Sequence, residues 1–188
     1  MASDPKQRLT IQEYLAFERG AEARNEFHDG ETFAMTGASR AHNLIEGNIF
    51  GEVRNQLKKR PCEVYHESMR VRTPAGLFTY PDVIVVCGEP RFDDSEFDTL
   101  LNPTLIVEVL SPSTETYDRG MKAIEYRAIP TLQEYVLVAQ SRLHVEHWQR
   151  HGAEEWLLRD LRDREQTLEL PSIGCRLLVA DIYERVFE

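Results

Sequence analysis

Asp82, Glu108 and Lys122 are the residues whose types and placement can do chemistry. Asp82 follows Pro81 and opens the apolar run Asp82-Val-Ile-Val-Val86. Glu108 interrupts a second run, Thr104-Leu-Ile-Val-Glu-Val-Leu110. Side chains alternate across a strand, so Glu108 shares a face with Ile106 and Leu110 in a segment apolar on both faces. A carboxylate buried there requires a proton, a partner or a cation. After Ser-Pro-Ser-Thr114, a short helix carries Asp118, Lys122 and Tyr126 in i+4 steps along one flank. Two acids converging at strand ends, with a lysine delivered by the next helix, are the parts of a divalent-metal site that cleaves phosphodiesters. Plainer readings stand beside this one. Asp82 suits a strand-entry turn after proline, Glu108 a core acid paired with Lys122 or an arginine, and Lys122 an exposed partner of Asp118. All three converging by accident is harder to sustain.

A second polar anomaly lies upstream. Arg40 to Arg60 has Ile45, Ile49, Val53 and Leu57 in i+4 steps, and at about 100° per residue His42 and Glu46 fall on that same apolar face. His42 could satisfy a loop carbonyl and Glu46 an arginine. A place for Glu46 beside the acid cluster is the alternative.

The elements that must position these residues follow from the rest of the pattern. Ile11, Tyr14, Leu15 and Phe17 predict an amino-terminal helix ending at Gly20. Arg24 to His28 and Glu31 to Met35 flank Asp29-Gly30, a hairpin signal because both turn positions tolerate positive φ. Short strands are expected at 63–66, 69–72 and 77–80, and an acidic solvated loop at 89–98. The helix from about Tyr117 to Ala128 is expected to bury Tyr117, Met121, Ile124 and Ala128. Glu134 to Ala139 resumes strand; 144–149 and 155–158 predict an antiparallel extension with His144 and His147 at the surface. Strands at 167–170 and 175–178 and a final helical turn at 181–186 close the chain.

The 188 residues fit one domain, with residues 1–9 expected to be flexible. No apolar run approaches the roughly 20 residues needed to cross a bilayer, and the amino terminus lacks a signal-peptide core, so no membrane partner and a cytoplasmic location are expected. The cysteines Cys62, Cys87 and Cys175 are far apart without C-x-x-C spacing, and neither a disulfide framework nor a zinc site is expected. The formal net charge of -10 argues against non-specific gripping of nucleic acid. Much of that acid is local, and Arg54, Lys58, Lys59 and Arg60 form a basic helix end.

Glu26-x-x-x-Gly30, His42 near the start of a long helix, Tyr80-Pro-Asp82-Val and Asn102-Pro-x-Leu-Ile-Val-Glu108-Val-Leu-Ser-Pro-Ser-Thr114 form the first part of a recognisable series. Asp118-x-x-x-Lys122-x-x-x-Tyr126, Glu134-Tyr135 and Pro171-Ser-Ile-Gly174 complete it. The series, running from about Thr10 onward, resembles the Uma2 (DUF820) family of restriction-endonuclease-like proteins in the PD-(D/E)XK nuclease superfamily. The resemblance implies an α/β fold with a central mixed sheet flanked by helices, and a Mg²⁺- or Mn²⁺-dependent endonuclease acting on DNA. Asp82, Glu108 and the Val109 carbonyl would be the metal ligands. Lys122, Glu46 and Tyr126 would complete the catalytic group, with His42, Glu26 and Asp118 in support. Leu110 stands where the superfamily usually has its lysine, so Lys122 looks like a relocated one. That departure leaves an alternative: an inactive nuclease scaffold serving as a nucleic-acid or protein binding module. A homodimer is expected by analogy, because two copies can place two sites across a duplex.

Overall fold

A computed structural model of the protein describes residues 8–35, 37–153 and 155–187. Residues 1–7 of the expected flexible end lie outside that description, while Leu9 is held by its N–H to the Gly30 carbonyl at 2.9 Å. Helix α1 (Ile11–Gly20) starts at a capping box in which Thr10 and Glu13 satisfy each other's backbone N–H. The hairpin of β1 (Asn25–His28) and β2 (Glu31–Ala34) turns at Asp29 and Gly30, both at positive φ. Helix α2 (Arg40–Leu57) follows, capped by Ser39 Oγ on the His42 N–H. Then come β3 (Cys62–His66), β4 (Arg70–Arg72), β5 (Phe78–Thr79), β6 (Val83–Cys87), β7 (Thr99–Leu100) and β8 (Leu105–Leu110). Helix α3 (Glu115–Tyr117) passes through a π-helical turn (Asp118–Lys122) into α4 (Ala123–Arg127). Strands β9 (Glu134–Ala139), β10 (Val145–His151), β11 (Glu155–Leu161), β12 (Thr167–Leu170) and β13 (Cys175–Leu178) lead to α5 (Val179–Ile182).

The central six-stranded sheet has the order β11-β10-β9-β8-β6-β3, with β8 and β9 parallel and the other neighbours antiparallel. This mixed sheet flanked by helices is the α/β architecture expected from the sequence. Val83, Val85, Leu105, Val107 and Val109 face α2, β12, β13 and α5; Ile84, Val86, Ile106 and Leu110 face α4 and the smaller sheet. Burial on both faces explains why β6 and β8 read as unbroken apolar runs rather than alternating ones. A five-stranded sheet, β2-β1-β5-β4-β7, packs on the second side and carries Glu26 and Thr79 inward. Strand directions set the working edge. The end of β3, the start of β6, the ends of β8 and β9, the start of β10 and the end of β11 all lie along one border of the sheet.

Three expectations are corrected. Cys62 and Cys87 form a disulfide (Sγ–Sγ 2.02 Å): they are far apart in sequence, but antiparallel register sets them directly opposite on β3 and β6. His144 and His147 are buried, because His147 Nε2 meets Glu134 Oε1 at 2.8 Å and His144 Nε2 meets Asp160 Oδ1 at 2.5 Å. A short strand that the sequence did not suggest, Thr99–Leu100, begins just after the expected acidic loop and pairs in parallel with β4. Finally, the helix after β8 turns its other side inward. Met121 and Ile124 are 46% and 62% exposed, while Asp118, Lys122 and Tyr126 are buried.

Candidate active site

The reversed helix face results from what waits beneath it. Glu108 points from β8 toward α4, and Glu26 arrives from β1, so the inward side of the π-helical turn must supply a counter-charge. Lys122 Nζ lies 2.9 Å from Glu108 Oε1, 2.9 Å from Glu26 Oε1 and 3.4 Å from Asp118 Oδ1. Tyr126 donates its hydroxyl to Glu108 Oε1 at 2.7 Å, and Thr79 Oγ1 lies 3.2 Å from that same hydroxyl oxygen and also bonds Glu26. Tyr135 donates to the Asp118 carbonyl at 3.2 Å. Wide π turns gather at functional sites; here the turn brings Asp118 and Lys122 inward together.

Burial pushes the Glu108 carboxyl well up from the usual carboxylate range, Lys122 opposes that shift, and the charges of Asp82 and Asp118 add to it. Burial also works to lower the pKa of Lys122, but Glu108, Tyr126, Glu26 and Asp118 outweigh it and keep the side chain an ammonium. Asp118 is raised, chiefly by burial against the pull of Lys122. Lys122 is thus a fixed positive charge at neutral pH, not a proton acceptor.

The other half of the site comes from α2. Asp82 sits at the mouth of β6 and accepts the Val109 N–H on Oδ2 at 2.6 Å, while its Oδ1 lies 3.0 Å from His42 Nε2. Val109 therefore meets Asp82 through its backbone N–H. Burial lowers the His42 pKa, but the hydrogen bond and charge of Asp82, with Glu46 and Asp118 behind it, carry it above the usual value. Glu46 lies one turn on, 5% exposed, and its Oε1 has no hydrogen-bond partner among the described residues. His66 Nδ1 stands off at 3.6 Å, beyond hydrogen-bonding distance. Burial first and Asp82 second push the Glu46 carboxyl up to about 7.

All the sequence-predicted site residues therefore converge on one border of the sheet, in two adjoining groups. Asp82 links them: it touches Val109, which follows Glu108, and it touches His42. Ligand atoms of His42, Glu46 and Asp82 lie within 4.8 Å of one another. A buried acid oxygen without a partner, beside a second carboxylate and an imidazole nitrogen, fits a divalent cation such as Mn²⁺. Glu108 meets this trio only through Asp82 and Val109, since its Oε1 is taken by Lys122 and Tyr126; Oε2 stays outside those contacts. Sequence reasoning passed over His66 and Glu67, whose ligand atoms cluster with Glu46 in the same way. The only signal for them was a histidine ending a strand that pairs beside Asp82.

Protein slr1290 of Synechocystis sp. (strain ATCC 27184 / PCC 6803 / Kazusa) is 35% identical over 182 residues, covering 96% of this chain and 94% of its own length. Protein sll1609 of the same organism is 38% identical over 162 residues, covering 86% and 92%. The crystal structure titled as a putative nuclease belonging to DUF820 from Anabaena variabilis ATCC 29413 superposes with a TM-score of 0.76. It covers 95% of this chain and 99% of that one at 16% identity, so the likeness is one of fold. The sequence model of the Uma2 family, described as "Putative restriction endonuclease", matches residues 11–180. With nearly the whole chain matched and the motif residues drawn to one edge, the protein belongs to the Uma2 family.

Proposed function

We propose that the protein is a divalent-cation-dependent endonuclease that hydrolyses phosphodiester bonds in DNA. The observation that carries this reading is the buried Glu46, whose Oε1 has no hydrogen-bond partner among the described residues and which shares a ligand cluster with Asp82 and His42, one residue-to-residue step from the Glu108–Lys122 pair. Asp82, Glu46 and His42 would hold Mg²⁺ or Mn²⁺, with the free oxygen of Glu108 and the Val109 backbone beside them. The imidazole in the set favours Mn²⁺, because Mg²⁺ prefers oxygen donors and its own waters. When bound, the ion supplies positive charge to the phosphate and acidifies a water.

The chain's own residues do the rest. Lys122 places a permanent ammonium at the back of the site, where it opposes negative charge growing on the phosphate in the transition state. Glu26 and Asp118 hold that ammonium in place. Tyr126 fixes Glu108 Oε1, leaving its other oxygen to face the reaction. Arg142 and Arg162, both largely exposed, lie along the same border of the sheet and offer phosphate contacts despite the acidic total charge. A symmetric pair of chains would address both strands of a duplex.

Incubation of supercoiled plasmid with Mn²⁺ or Mg²⁺ tests the reading. Nicking by the native protein should vanish with chelator and in the Asp82→Ala, Glu108→Ala double variant. Equal activity in that variant would overturn it.

A further inference from the structure

We infer that the chain holds a second divalent ion of the transition-metal type at Glu46, His66 and Glu67, at the outer end of β3. The inference rests on the reading of His42, Glu46 and Asp82 as the holder of the first ion. Ligand atoms of Glu46, His66 and Glu67 lie within 4.8 Å of one another, as those of the first trio do, and Glu46 belongs to both. A carboxylate has two oxygens and can be shared between two cations. A second observation is the setting of Glu46 Oε1: this oxygen, on a side chain 93% buried, has no hydrogen-bond partner among the described residues and lies 3.6 Å from His66 Nδ1. An ion seated between them would satisfy it.

The surroundings aim the donors. His66 is the last residue of β3 and pairs with Val83, next to Asp82. Phe50 on α2 packs against its ring with centroids 4.3 Å apart, fixing the imidazole relative to Glu46 one turn earlier on the same helix. Glu67 follows with φ of 50°, and its N–H approaches the Asp82 carbonyl at 3.4 Å, folding the chain back toward the site. His66 and Glu67 are both exposed, so an ion can enter from solvent without moving the core. One imidazole and two carboxylates suit Mn²⁺, Co²⁺ or Zn²⁺ better than Mg²⁺. The outer position has the same donor set as the inner one, and an ion there would share Glu46 with it.

Calorimetric titration of the metal-free full chain with Mn²⁺ should give two ions in the native protein. It should give one in His66→Ala, Glu67→Gln and one in Asp82→Asn. In NMR spectra, sub-stoichiometric Mn²⁺ should broaden the His66 ring protons. Metal-free melting temperatures show that the variants fold. A single ion in the native chain that survives in His66→Ala, Glu67→Gln but is lost in Asp82→Asn overturns the second position and leaves the first standing. A single ion with the opposite pattern keeps the outer position and removes the inner one. No binding in any form overturns both.

Discussion

The two halves of the site solve the same electrostatic problem differently. Around Lys122, the acids Glu26, Glu108 and Asp118 are buried with a cation already built into the chain, and hydroxyls of Thr79 and Tyr126 take up the remaining contacts. Around Asp82, the acid Glu46 is also buried, but its Oε1 has no hydrogen-bond partner among the described residues and its nearest cation candidate, the His66 imidazole, stands 3.6 Å off. One group is complete as folded and the other awaits charge from outside. Stability should therefore depend on the first and ligand binding on the second.

Substitutions can break that contrast, beginning with the largest effect. Lys122→Met should destabilise the fold by about 3–5 kcal/mol, because it leaves carboxylates buried without their counter-charge; chemical denaturation measures this. Asp82→Asn should leave the midpoint of unfolding almost unmoved while cutting nuclease turnover by about a thousandfold, roughly 4 kcal/mol of barrier. Were it to unfold the protein instead, the division between the two halves would be lost. Glu46→Gln should stabilise the metal-free protein at pH 8 by about 1 kcal/mol, read as a rise of some 2–4 °C in Tm, since it removes a buried unpaired charge facing Asp82. It should also weaken Mn²⁺ binding.

An exposed ion network gives the smallest effect and serves as a baseline. Hydrogen bonds from Arg19 pull the Asp98 carboxyl down to about 2. Its folded pKa lies below the unfolded value of 3.8, so the stability it adds is present above about pH 3.8 and is lost as pH falls toward 2. Arg19→Ala should therefore raise the pH of acid unfolding slightly, with little change at pH 7; both partners are about one-third exposed and solvent screens the pair.

Much of the architecture was legible in the sequence because apolar periodicity reports burial directly. β6 and β8 read as buried strands, α2 as a long helix with Glu46 on its inner side, and Asp29-Gly30 as a turn. The misreadings share one cause: buried polar groups that satisfy each other leave no apolar signature. Met121 and Ile124 looked like the inward stripe of their helix, yet the inward side is Asp118, Lys122 and Tyr126, drawn in by Glu108 and Glu26. His147 looked solvated because its partner, Glu134, is the first residue of another strand. The Cys62–Cys87 bond exists only through strand register, and the His66–Glu67–Glu46 group only through the packing of α2 on the end of β3; linear spacing encodes neither.

Leu110 occupies the inward-facing position two residues beyond Glu108, where a lysine would enter the site directly from the strand. Because the ammonium comes instead from a separate helix, its place in space is set by the three acids around it rather than by chain distance from Glu108. A Leu110→Lys change in the Lys122→Met protein should then recover part of the lost nicking. Searches keyed to a fixed interval between acid and lysine would overlook proteins built this way, whereas a search for the buried acid triangle around an ammonium would find them.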